Sequence, residues 1–159
     1  MGMYSREELA AAFEDYKSRR DSASQTGDWN VWAECFALDA HYIEHAYGEL
    51  HGREAIRNWI CEVMAPYPTM TFPVNWVVID EENHAIVWEV MNAFPAPFDD
   101  HGKPFAFPNW SRLVYAGNML WASEEDIYNP ARDAGRVFSQ WIAAGGAPLS
   151  KEAIEMKYR

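Results

Sequence analysis

The chain has 159 residues, 49% of them hydrophobic and 15% aromatic, with 8 Trp, 8 Tyr and 8 Phe. This length suits one domain, and this much apolar surface rules out a disordered chain, so a single domain over 1–159 is expected, its core at about 5–145 and a tail at 146–159. Thirteen Lys+Arg against 24 Asp+Glu give a formal net charge of -11, which with no basic run argues against nucleic acid, membrane surfaces and strongly anionic substrates as partners.

Cys35 and Cys61 offer neither a disulfide framework nor a zinc-type pairing, so a reducing, cytoplasmic setting is expected. The residues from Met1 to Arg6 carry no apolar signal segment. Ser5 with Glu8 forms a capping box, and Leu9, Ala12, Phe13 and Tyr16 recur at helical spacing, which predicts a first helix to about Ser24. Gly27 breaks it, and Trp29, Trp32, Cys35 and Phe36 predict a short second helix. A strand is expected over 40–47 and a turn between Gly48 and Gly52. Arg53 to Met64 reads as a helix with Ile56, Trp59, Ile60 and Val63 on one face. The segments 70–80, 84–94, 105–115 and 119–128 are rich in β-formers and predict an antiparallel meander, with Pro95 to Pro104 as a surface loop. A last helix is expected from about Pro130 to Ala143, ended by Gly145 and Gly146. Helices followed by a run of strands define an α+β chain.

His41-Tyr42-Ile43-Glu44-His45 spells H-x-x-E-H, the inverted zincin signature. On a helix the two imidazoles share one side and can share a zinc; on a strand the same step covers about 13 Å. Periodicity alone leaves both open, since Tyr42, Ile43, Ala46 and Tyr47 also fit a helical face. The strand reading cannot bring both imidazoles to a metal with Zn–N bonds of about 2.1 Å, and on it no metal and no cofactor are expected.

Gly27-Asp28-Trp29, then Cys35 through Ala40, Tyr42-Ile43-Glu44-His45, and Gly48 with Gly52-Arg53-Glu54-Ala55-Ile56-Arg57 together resemble the helix–strand–helix core of the SnoaL-like, nuclear-transport-factor-2-like superfamily. The resemblance extends to the later strands and the turn Tyr115-Ala116-Gly117. It implies a cone-shaped, curved antiparallel or mixed sheet wrapped around a long N-terminal helix, with three to four helices and a central apolar pocket. It also implies a homodimer, as does the apolar outer face of a sheet rich in Val, Trp and Tyr.

Carried over by position, Glu44 matches the carboxylate that acts as general base in ketosteroid-isomerase-like proteins, there an Asp followed by Pro. The family tyrosine of helix one falls on Arg20, with Tyr16 one turn earlier on the same face. The family aspartic acid of the later strand falls near Ser111, so ketosteroid isomerisation itself is doubtful. Strand alternation sets Trp121, Ser123, Glu125 and Ile127 on one face and Glu124, Asp126 and Tyr128 on the other. The family alignment points the first set into the pocket, so a Glu44–Glu125 carboxyl pair is expected, one acid and one base. His45 is one step out of phase with Glu44 and joins them only if the strand bulges. Tyr42, Tyr47, Trp59, Trp88, Asn92 and Trp110 are the expected pocket wall, with Trp88 and Asn92 on one strand face. The expected activity is cofactor-independent acid/base chemistry, as a lyase, dehydratase or isomerase acting on a small hydrophobic, aromatic or polycyclic, hydroxy or carbonyl compound. The alternative is a non-catalytic binding or assembly domain of the same fold.

Overall fold

In the computed structural model, which describes residues 2–157, the Ser5 side chain caps α1 (Arg6–Thr26) by accepting the Glu8 N–H at 3.1 Å. Met1 and the last two residues of the expected tail, 158 and 159, lie outside the described residues. α1 runs two residues past the expected end because Gly27, at φ 81°, supplies the left-handed cap and bonds Ala23. Its stripe of Leu9, Ala12, Phe13, Tyr16, Arg20 and Ala23 is buried.

The second helix shrinks to α2 (Asn30–Ala33), since Cys35 and Phe36 turn into an extended strand. That strand, β1 (Phe36–Glu44), begins four residues before the expected start. The segment read as a turn holds a short edge strand, β2 (Gly48–His51), antiparallel to β1. α3 spans Arg53–Met64 as expected. The meander forms as β3 (Val74–Asp80), β4 (Ala85–Ala93), β5 (Ala106–Gly117) and β6 (Leu120–Ile127). β3 loses its first residues because Pro73 has no N–H for a ladder; Thr71 only bridges Ala93. β1 then pairs in parallel with β6, giving one open, curved, mixed sheet in the order β2-β1-β6-β5-β4-β3. A π-helical turn over Pro130–Gly135 leads into α4 (Arg136–Ala143), and α5 (Lys151–Lys157) forms in the tail, where no element is expected from sequence.

α1 lies in the curve of the sheet. Trp88 of β4 meets Phe13 and Tyr16 of α1 with ring centroids 4.2 and 5.0 Å apart, and Leu9, Ile86, Leu113 and Trp121 fill the layer between. A second cluster of Met70, Phe94, Val137 and Trp141 seats α4 over one end of the cone, with the Trp141 indole stacked on Phe94 and donating to Pro95 O at 2.8 Å. No helix among the described residues is long and apolar enough to cross a membrane.

The opposite face of the sheet carries Trp76, Trp110 and Ile127 in one cross-strand row, with Val78 beside it, all exposed. Glu89 stands in this row between Trp76 and Trp110, whose ring centroids are 5.3 Å apart, and the exposed apolar side chains around it favour burial against a second copy. Sedimentation of the chain at micromolar concentration is expected to show a dimer, and Trp76→Lys combined with Trp110→Lys to give a folded monomer. A parent chain that sediments as a monomer would remove the sheet-to-sheet dimer.

Candidate functional site

Between α1, α3, the concave face of the sheet and the segment leading into α4 lies a cavity of about 360 Å³. That volume suits a small organic molecule. Its wall is aromatic: Trp29, Trp32, Trp59 and Trp88, Tyr42, Tyr47 and Tyr67, and Phe72, Phe94, Phe107 and Phe138 all line it.

The polar floor comes from two neighbouring strands. In the parallel β1–β6 pair, Tyr42 stands beside Glu124 and Glu44 beside Asp126, all four facing inward. The hydroxyl of Tyr16 on α1 donates to the Glu124 carboxyl, 2.9 and 3.0 Å from its two oxygens. The hydroxyls of Tyr42 and Ser111 both donate to Asp126, and Asn109 donates to Ser111 Oγ at 3.2 Å. Glu44 is held differently: its Oε2 accepts the backbone N–H groups of Ala46 and Tyr47, each at 2.8 Å, so its carboxylate also pins the β1–β2 turn. Tyr128 lies against Glu44 from the end of β6.

Burial, then the adjacent Asp126 charge, pushes the Glu124 pKa well above the ordinary carboxylate value, with the Tyr16 bond and Arg20 acting in the opposite sense. Burial also raises Asp126, opposed by its bonds to Ser111, Tyr42 and Asn109. Burial above all, and then the nearby carboxylates, drive the hydroxyls of Tyr16 and Tyr42 far up and keep them as proton donors. Arg20 is buried among the rings of Tyr16, Phe72 and Trp88 and donates to Phe72 O at 2.8 Å, while its Nε has no acceptor. The indole N–H groups of Trp32, Trp59 and Trp88 also have no protein acceptor.

Tyr16, Glu44, Tyr42, Tyr47, Trp59, Trp88 and Asn92 therefore stand where the sequence reading puts them, on the cavity wall. Three residues do not. Glu125 points to the outer face, where its carboxylate meets His45 Nε2 at 3.0 Å, so both leave the pocket. Trp110 is half-exposed on that same face and donates to Glu89 at 2.7 Å. The phase error in β6 has a local cause: Tyr115 pairs Trp121 while Val114 pairs Ser123, so Ala122 is an extra residue. This bulge lets Trp121 and Glu124 both face inward and shifts every later residue by one step. Glu124 and Asp126 are thus pocket residues that strict alternation misses, and Asn109, on the same strand face as Ser111, and Arg20 of α1 line the pocket with them. The available signal was the acidic run Glu124-Glu125-Asp126, of which a strand must turn at least one member toward its inner face.

A cone of sheet and helix around an apolar cavity defines the class of protein. Residues 19–121 match the SnoaL-like domain family, and the chain belongs to it. No curated protein matches the chain. Several solved structures share its fold. A hypothetical protein with a ketosteroid isomerase-like fold from Catenulispora acidiphila, in complex with trimethylamine, is 21% identical, with 84% of this chain and 98% of that chain covered and a TM-score of 0.62. An LEH-like epoxide hydrolase from M. tuberculosis is 14% identical over 86% of this chain and 93% of that one, with a TM-score of 0.64. An NTF2-like protein from Anabaena variabilis is 14% identical over 81% and 95%, with a TM-score of 0.59.

Because burial lifts the folded-state pKa of Glu124 above its unfolded value near 4.5, its neutral form is the one the fold favours. The stability this gives is complete below that unfolded value and is lost as pH rises through the folded pKa. Glu124→Gln stays neutral at every pH. The melting temperature of the parent is therefore expected to fall relative to this variant as pH rises above about 4.5 toward the raised folded-state pKa of Glu124. Parallel melting curves across that range would show that Glu124 is not a buried acid.

Proposed function

We propose that the chain is an acid/base enzyme requiring no cofactor, a lyase, dehydratase or isomerase acting on a small hydrophobic hydroxy or carbonyl compound with an aromatic or polycyclic body. The observation that carries this reading is the set of three carboxyls, Glu44, Glu124 and Asp126, side by side on the floor of an aromatic cavity, two of them bonded to tyrosine hydroxyls. Burial disfavours the ionised forms of Glu124 and Asp126, and the Asp126 charge adds to the push on Glu124, so a protonated carboxyl is held in this cluster. Such a cluster holds an acid and a base in one place, as proton abstraction with assisted departure or enolisation of an oxygen requires.

Glu124, with the strongest upward push, carries the proton; as it passes this proton to the Tyr16 oxygen, the Tyr16 hydroxyl turns away from Glu124 and delivers its own hydrogen to an oxygen of the substrate. Glu44, whose Oε2 is anchored by two backbone N–H groups, takes the proton at the adjacent carbon with its other oxygen. Between them Tyr42 donates to Asp126, which stands beside Glu44 in the β1–β6 register. The unpaired indole N–H groups and Arg20 Nε are donors for further substrate oxygens. The epoxide hydrolase that shares the fold supports this use of the scaffold without naming a substrate.

A thermal-shift screen of terpenoid, steroid, polyketide and lignin-type aromatic compounds finds candidate substrates, since a ligand at 100 times its Kd adds about 2.7 kcal/mol. With a compound that the parent converts, Glu44→Gln and Asp126→Asn are each expected to lower turnover by about 10²–10⁴ while still binding it. Glu125→Gln, on the outer face, is expected to leave turnover unchanged. Saturable binding without any conversion by the parent would replace the enzyme with a binding domain.

A further inference from the structure

We infer that the β1–β2 hairpin carries a transition-metal site made of His41, Glu49 and His51, on the sheet face away from the pocket and independent of the pocket's chemistry. His41 and His51 are direct partners in the antiparallel register, and Glu49, two residues before His51, projects from the same face. The two imidazoles lie parallel, their centroids 4.6 Å apart and their planes 9° from coincidence. Glu49 Oε2 lies 2.8 Å from His41 Nε2 and 3.9 Å from His51 Nε2. One ligand atom from each of the three side chains falls within 4.8 Å of the others.

A tetrahedral centre with bonds of about 2.1 Å sets its ligand atoms about 3.4 Å apart, so the cluster needs only a small closing movement. These side chains are free to make it, being 37%, 59% and 75% exposed for His41, Glu49 and His51. Binding through Nε2 takes neutral His41 in the tautomer with its ring proton on Nδ1, which frees Nε2 and the Glu49 oxygen that faces it as ligands. Two imidazoles and one carboxylate select borderline divalent ions such as Zn²⁺, Ni²⁺ and Cu²⁺ over Mg²⁺ and Ca²⁺, which prefer all-oxygen shells. Three protein ligands leave the remaining positions to water. The acidic surface, with a formal net charge of -11, draws cations toward it.

The literal H-x-x-E-H reading excludes a metal because His41 and His45 lie along one strand, and His45 is engaged by Glu125. That exclusion does not reach His51, which sequence spacing separates from His41 by ten residues and the hairpin brings opposite it. A bound ion ties β2, an edge strand with only four register pairs, to β1.

The test is titration calorimetry of ZnCl2, NiCl2 and CuCl2 into the untagged, EDTA-treated full chain, with MgCl2 as control and melting temperature as a second readout. One equivalent of a transition metal is expected to bind saturably and raise the melting temperature, while MgCl2 does neither. His51→Ala and His41→Ala are each expected to weaken binding about tenfold or more, as loss of supporting groups does at metal sites. His45→Ala is expected to bind as the parent does. Absence of saturable binding by all three metals, binding unchanged in His51→Ala, or equal loss in His45→Ala would each overturn the site.

Discussion

The carboxyl of Glu124 has almost no access to water, and a carboxyl in that position is tolerable only when its oxygens are met by donors. The donor is the Tyr16 hydroxyl, 108 residues earlier in the chain, on the helix laid across the sheet. This one contact fixes the rotation of α1 about its axis and the inward phase of β6 together. The neighbouring bond from Tyr42 to Asp126 does the same for β1 against β6, the parallel pairing on which the sheet's continuity rests. Arg20, one turn beyond Tyr16 on the buried stripe, offsets part of the acid charge and spreads its own over three aromatic rings. Removing any one member leaves a buried polar partner unpaired, so the network is specified as a set rather than residue by residue.

Rigid rings explain why the space beside this network stays open. Tyr16 alone stands in contact with Phe13, Trp32, Phe36, Trp88 and Trp121, mostly edge to face, and Tyr42 with Trp32, Phe36 and Trp59. Flat side chains braced in this way cannot fold into a gap as Leu or Met would, and the cavity survives between them. Three of these cavity-lining indoles, Trp32, Trp59 and Trp88, also bury an N–H that no protein acceptor meets.

The parts of the fold legible in the sequence were those with strong local signals. The capping box at Ser5, the stop at Gly27, the helical stripe of Arg53–Met64 and the β-rich segments of the meander each depend on neighbouring residues, and each formed. The pocket positions of Glu44 and Tyr16 come from the family resemblance carried over by position, and Trp88 is set with Asn92 on one strand face. What escaped was set by pairing between distant segments. Phe36 enters β1 because it lies beside Trp121, and β2 exists because Glu49 and Leu50 find partners on β1. The extra residue at Ala122 carries no mark of its own in sequence, yet it moves Glu125 out and Glu124 and Asp126 in. His45 fell outside because it is one step out of phase with Glu44 and no bulge turns it inward, and Trp110 because it alternates with the inward Asn109 and Ser111.

The charge balance of the cavity limits what can occupy it. Among its described lining residues Glu44, Glu124 and Asp126 stand against Arg20 as the single basic side chain. An anionic ligand would raise the proton affinity of three carboxyls at once, and its own burial would be opposed by each. A purely apolar ligand would leave the N–H groups of Trp32, Trp59 and Trp88 as unpaired as they are without it. The proposed substrate, an uncharged molecule with an aromatic body and a hydroxy or carbonyl oxygen, fits both conditions: its faces would lie on the rings, and its oxygens would reach the indole donors and the carboxyl cluster, where a proton can be exchanged.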